Sequence, residues 1–117
     1  MIAGVYNLTI EQGATFRRTL TVKDSAGLVV NLSGYTARMQ IRPEIDSSTV
    51  MVSLTTANGG ITLGGVLGTI ALYLSDTTTS SMQFEGVYDL ELIQTSTGDV
   101  IRVLKGKVRL DPEVTRV

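Results

Sequence analysis

The chain has 117 residues, a length that fits one domain over residues 1–117 and can bury a single core without metal or disulfide help. Hydrophobic residues make up 43% of it, which excludes a disordered polymer, and the formal net charge of −1 argues against a free nucleic-acid binder that relies on phosphate neutralisation. It contains no Cys and no His, so a disulfide framework, a thiolate zinc centre, a Ser-His-Asp triad and a Cys-His pair are all excluded.

The opening "MIAGVYNLTI" has no basic n-region and soon turns polar, so it does not read as a signal peptide, and no apolar run approaches the about 20 residues of a membrane-spanning helix. Tyr6, Leu8 and Ile10 share one face of a strand while Asn7 and Thr9 take the other. An apolar first strand is hard to leave as a bare edge, so this segment is expected to pair in the sheet or with another subunit. "EQGA" interrupts at Gly13. In "TFRRTLTVK", Phe16, Leu20 and Val22 alternate against Arg17, Thr19, Thr21 and Lys23. Arg18 shares the inward parity, which predicts either a paired, half-buried Arg or a strand irregularity. "DSAG" suits a type I turn, and the short strand "LVVNL" follows.

Ala37, Met39 and Ile41 alternate with Arg38, Gln40 and Arg42 in the next long strand, which Pro43 should end because it cannot donate to a ladder. "EIDSS" is a loop. Val50, Val52 and Leu54 then share one side, and "GITLGG" and "GTIALYLS" form two short strands around a Gly-rich bend, with Ile70, Leu72 and Leu74 inward and Tyr73 outward. Ser75 or Asp76 can cap one helical turn, but three consecutive Thr argue against a long helix. "GVYDLELIQ" sets Tyr88, Leu90 and Leu92 against Asp89 and Glu91. After the hairpin turn "TSTGD", the last strand has Ile101 and Val103 inward at first and Leu104, Val108 and Leu110 inward later, so its parity changes near Val103 and Leu104 and predicts a bulge. Pro112 ends the ladder and restricts Asp111 to extended conformations.

About eight short strands at this turn spacing, with no long helices between them, define an all-β chain: a single immunoglobulin-like antiparallel β-sandwich. Gly86 stands two residues before Tyr88 at a strand start, where such sandwiches place a tyrosine whose hydroxyl ties back to nearby backbone; the other reading is an ordinary inward strand Tyr. Gly13, Gly86, Tyr88 and Pro112 are therefore the expected structural positions.

Little in the sequence speaks for catalysis. Asp89 and Glu91 on one strand face, and Asp111 and Glu113 around the final turn, read as solvated carboxylates rather than a pair across a cleft. "ANGGITLGG" lacks the Lys-Ser/Thr ending of a phosphate loop. No enzyme, cofactor or metal site is expected. Arg102, Lys105, Lys107 and Arg109 gather on the last strand; they either guard an edge strand by charge or face an acidic partner. With Ile2, Val5, Arg17, Glu113 and Arg116 they form the candidate protein-interface set.

The segments "YNLTIEQGATF", "LTVKDSAG", "VNLSGYTARMQIRP", "GTIALYLS", "GVYDLELI" and "VLKGKVRLDPEVTR" together resemble a family of small virion proteins of tailed bacteriophages. The family's E-Q-G turn corresponds to Glu11-Gln12-Gly13, its L-[ST]-G-Y-T-A-R-M-Q-I-R block to Leu32 to Arg42, and its closing P-E-V-T-R hook lies within Gly106 to Arg116. The resemblance implies a non-enzymatic β-sandwich building block of the tail, neck or baseplate, assembled into the virion after synthesis in the host cytoplasm. Its implied partners are other virion proteins and copies of itself, with no nucleic acid, membrane or small-molecule substrate. In modular members the hook lies where the domain hands over to the next segment; here one residue, Val117, follows it, which points to an adaptor or to a capsid-surface decoration protein. A further alternative is a carbohydrate-binding host-attachment module, for which Tyr73 is the single aromatic candidate.

Overall fold

The structure is a computed structural model and describes residues 4–115. Two packed sheets form an all-β sandwich. In chain order the elements are β1 (Gly4–Val5), β2 (Leu8–Glu11), β3 (Phe16–Thr21), β4 (Tyr35–Arg42), β5 (Val52–Thr55), β6 (Ile61–Leu63), a 3-10 turn (Gly65–Leu67), β7 (Thr69–Leu74), α1 (Asp76–Ser81), β8 (Gly86–Gln94) and β9 (Val100–Asp111). The larger sheet has six strands in the order β1-β9-β8-β4-β5, with β2 also on β9; the smaller has the order β3-β7-β6. All pairings between these strands are antiparallel except those of β1 and β2, which run parallel to β9. The expected pairing of the first strand is thus made within the chain's own sheet.

Period-two patterning builds the core. Ala37, Met39 and Ile41 of β4 and Tyr88, Leu90 and Leu92 of β8 point inward, against Ile70, Leu72 and Leu74 of β7. Each fully buried Leu or Ile contributes roughly 2 kcal/mol, which makes the register of these strands hard to slip. β4 ends at Arg42, before Pro43, and β9 ends at Asp111, before Pro112. The helix is one short turn and a half. Ser75 caps it by accepting from the Thr78 N–H at 3.2 Å, and the run of Thr does not carry it past Ser81.

Two expectations change, and the two readings of Tyr88 separate. "LVVNL" forms no full strand; only a bridge between Lys23 and Val29 closes that hairpin, although Leu32 is buried. Val50 lies outside β5 and is exposed rather than inward, because the loop after β4 joins the sheet only from Met51 on, whose N–H donates to the Ile41 carbonyl at 2.8 Å. Tyr88 is buried, but its hydroxyl does not return to nearby backbone. It donates to the Tyr6 carbonyl at 2.6 Å, across β9 and onto the first strand. Gly106 makes this reach feasible: it lies opposite Tyr88 in the β8–β9 register, and a Cβ there would collide with the Tyr6 carbonyl oxygen.

Arg18 takes the paired, half-buried form with its strand regular, opposite Leu72. Its guanidinium donates to the Tyr6 hydroxyl at 2.6 Å and lies 5.6 Å from the Phe16 ring centroid. Tyr6 therefore links β3 of one sheet to β8 of the other.

Candidate functional site

The basic residues of the last strand owe their common face to an irregularity. Simple alternation continued from Ile101 and Val103 would turn Lys105 and Lys107 inward. Instead Leu90 pairs with Leu104 and Glu91 with Arg102, so Val103 is an extra residue in β9 and the parity resets there. The expected bulge is present, and it leaves Arg102, Lys105, Lys107 and Arg109 all exposed on the outer face of the larger sheet.

β9 is not an edge strand. It lies between β8 and the first strand, so its charges cannot be there to guard an open ladder, which corrects that reading of the basic set. Arg102, Lys105 and Lys107 line a shallow concavity of about 500 Å³ on the sheet's outer face, and Arg109 lies outside it. Val5 and Asn7 form one wall, Val87 and Asp89 of β8 the middle, and Gln40 and Arg42 of β4 the other side. Ile45, 83% exposed, lines it from the loop after β4, and Val5 is 71% exposed. Arg42 anchors that loop: it donates to the Ser47 carbonyl at 2.6 Å and to the Gln40 side-chain oxygen at 2.8 Å.

A break in the first strand shapes the same wall. The Lys107 N–H is satisfied by the Asn7 side-chain oxygen at 2.9 Å rather than by a backbone carbonyl, while Tyr6 donates to Lys105 and its own carbonyl accepts from Tyr88. The chain is interrupted between β1 and β2 at these two residues. Burial, and secondarily the neighbouring Tyr6, pushes the Tyr88 hydroxyl up from 10.0 to about 12, so it remains a hydrogen-bond donor well above neutral pH.

Electrostatically the concavity is lopsided. Arg42, Arg102, Lys105 and Lys107 face a single carboxylate, Asp89, which lies 3.9 Å from Arg102. Among the described residues no ion pair engages Lys105 or Lys107. Apolar Val5, Ile45 and Val87 lie beside these charges, with Val5 and Ile45 largely exposed.

The remaining interface candidates are scattered. Arg17 is on the smaller sheet, its guanidinium 4.7 Å from the Tyr73 ring centroid, so one face of that exposed ring is already occupied. Arg109 is exposed opposite Thr9. Ile2 and Arg116 lie outside the described residues. Asp89 and Glu91 are outward-facing surface carboxylates, Glu91 paired with Arg38 at 2.7 Å.

Glu113 belongs to a second region, the hook end. Its N–H donates to the Gln12 side-chain oxygen at 2.9 Å, and the amide of the same Gln12 donates to the Met82 carbonyl at 2.8 Å. Gly13, at φ 84, donates to the Thr79 hydroxyl, which in turn donates to the Ala14 carbonyl at 2.9 Å. The Glu113 carboxylate fills the space where a Cβ on Gly13 would lie. The E-Q-G turn and the P-E-V hook, 101 residues apart at Gln12 and Glu113, are therefore one clamp with α1 beneath it. Through Glu113 the hook covers its own sandwich, while Val114 projects with 91% exposure.

Arg42, whose outward parity suits a solvent face or an interface rim, is part of the concavity, whereas residue patterning missed Ile45, Val87 and Asn7. An outward apolar residue in β8 and an Ile between two acids in a loop were the available signals for Val87 and Ile45; nothing local marked Asn7. No family model and no curated protein matches the sequence.

Proposed function

We propose that this chain is a non-enzymatic docking module, a structural building block of a tailed-bacteriophage particle placed at its tail, neck or baseplate. The observation that carries the docking part is the concavity over β9: exposed basic side chains on an interior strand, where protection of a sheet edge gives them no role, with apolar Val5, Ile45 and Val87 from neighbouring segments beside them. The particle part rests on the sequence resemblance, and the fold is compatible with it: the family-like Glu11-Gln12-Gly13 and Asp111-Pro112-Glu113 segments join in one hydrogen-bonded clamp. Reactive chemistry has little to stand on. The sequence has no His and no Cys to supply the commonest general base, thiolate nucleophile or zinc ligand.

Mass spectrometry of purified tails and of DNA-filled heads from the producing phage tests the reading. The chain is expected in tails at many copies. Enrichment in heads alone moves it to capsid decoration, and absence from both overturns the particle reading.

A further inference from the structure

The concavity and the hook end complement each other. In the concavity Lys105 and Lys107 have no ion pair among the described residues, and the one carboxylate present, Asp89, is shared with Arg102. At the hook end the imbalance is reversed. Glu11 and Asp111 stand directly opposite each other in the parallel β2–β9 register, both exposed, with Glu113 beside them on the same surface. Like charges side by side in a sheet repel, and among the described residues none of the three carries an ion pair. Arg109 stands between the two regions, two residues from Lys107 and two from Asp111, and also forms none.

From these observations we infer that the concavity receives the acidic hook end of a second copy of this chain, so that copies associate head to tail. Glu11 and Asp111 of one copy approach Lys105 and Lys107 of the next, and the projecting Val114 meets the apolar Val5, Ile45 and Val87. Each like-charged cluster gains the counter-charge it lacks. Within one copy Lys107 and Asp111 are about 13 Å apart along an extended strand, beyond the screening length of about 8 Å at physiological ionic strength, and Arg109 between them and Asp89 opposite Lys105 form no ion pair with Lys105, Lys107, Glu11 or Asp111 among the described residues. The two surfaces share no lining residue, so each copy can use both at once. Such a heterologous contact builds a ring if its rotation closes and a helical stack if it does not. The inference rests on the docking reading and names the partner.

Sedimentation velocity on the full-length protein tests it. The wild type is expected to associate with rising concentration, and less so in about 0.5 M salt. Lys105→Glu with Lys107→Glu, and separately Glu11→Lys with Asp111→Lys, should each weaken association by at least about tenfold while circular dichroism melts show folded protein. Mixed together, the two variants should associate again, because each altered surface meets its complement on the other. A wild type that stays monomeric, a variant that associates like the wild type, or a mixture that stays apart overturns the inference. A monomeric chain found in purified particles would overturn it and leave the docking reading standing; a self-associating chain absent from particles would overturn the particle reading and leave the inference standing.

Discussion

Inside the clamp that ties the hook to the E-Q-G turn the polar groups are paired, whereas on the outer face of the larger sheet, as on the clamp's own acidic surface, the charged groups face solvent. Gln12 uses both ends of its amide, Thr79 is 0% exposed and bonds on both sides, and Gly13 supplies the close approach. Lys105 and Lys107, on β9 like Asp111, are exposed and without ion pairs among the described residues. The contrast separates two uses of polar side chains. Buried and satisfied, they fix which segments touch, since losing one partner strands the other. Exposed and unpaired, they do little for the fold and are available to a partner.

Substitutions can break this comparison from either side. The largest effect is expected at Gly106→Ala. The new methyl would meet the Tyr6 backbone, which cannot swing aside, so the first strand must lift from β9 at a cost of about 3 kcal/mol, read from thermal or urea unfolding. Thr79→Val should cost about 2 kcal/mol, because the Gly13 N–H and the Ala14 carbonyl both lose the hydroxyl.

Tyr88→Phe should cost about 1 kcal/mol at neutral pH and also change the pH dependence. The folded-state value of Tyr88, about 12, lies above the unfolded 10.0, so its contribution is fully present below pH 10 and is lost as pH rises toward 12. Wild-type stability should therefore fall relative to Tyr88→Phe over that window; parallel melting curves would place the hydroxyl in water instead. The smallest stability effect is expected for Lys105→Glu with Lys107→Glu, within about 0.5 kcal/mol. A loss as large as that of Thr79→Val would mean that the outer face belongs to the architecture and would erase the distinction between the regions.

Local pattern made much of the fold legible. Alternation in β4 and β8 named the inward residues, Pro43 and Pro112 marked strand ends, and the parity change in β9 marked its bulge. Contacts between distant segments were not legible. Tyr88 reads locally either as a tyrosine tied to its own corner or as an ordinary inward strand residue, and neither reading names its partner Tyr6, 82 residues away. The Gln12–Glu113 contact spans 101 residues. The basic strand was misread as an edge because alternation says which way a side chain points but not which strands flank it, and only the order β1-β9-β8-β4-β5 assigns the neighbours. For the same reason the candidate interface was half legible. Val5, Arg102, Lys105 and Lys107 converge in the concavity, while Arg17 and Glu113 belong to other surfaces.

If the outer face of the larger sheet receives the acidic hook end of another copy, as proposed, contact between copies must register at both surfaces together. A dilution series followed by amide NMR of the full-length protein tests this most directly. Concentration-dependent shifts are expected at Val5, Val87, Lys105 and Lys107 and, together with them, at Glu11, Asp111 and Val114, with Arg17 and Tyr73 unmoved. Shifts centred on Arg17 and Tyr73, or none at any concentration, would contradict it.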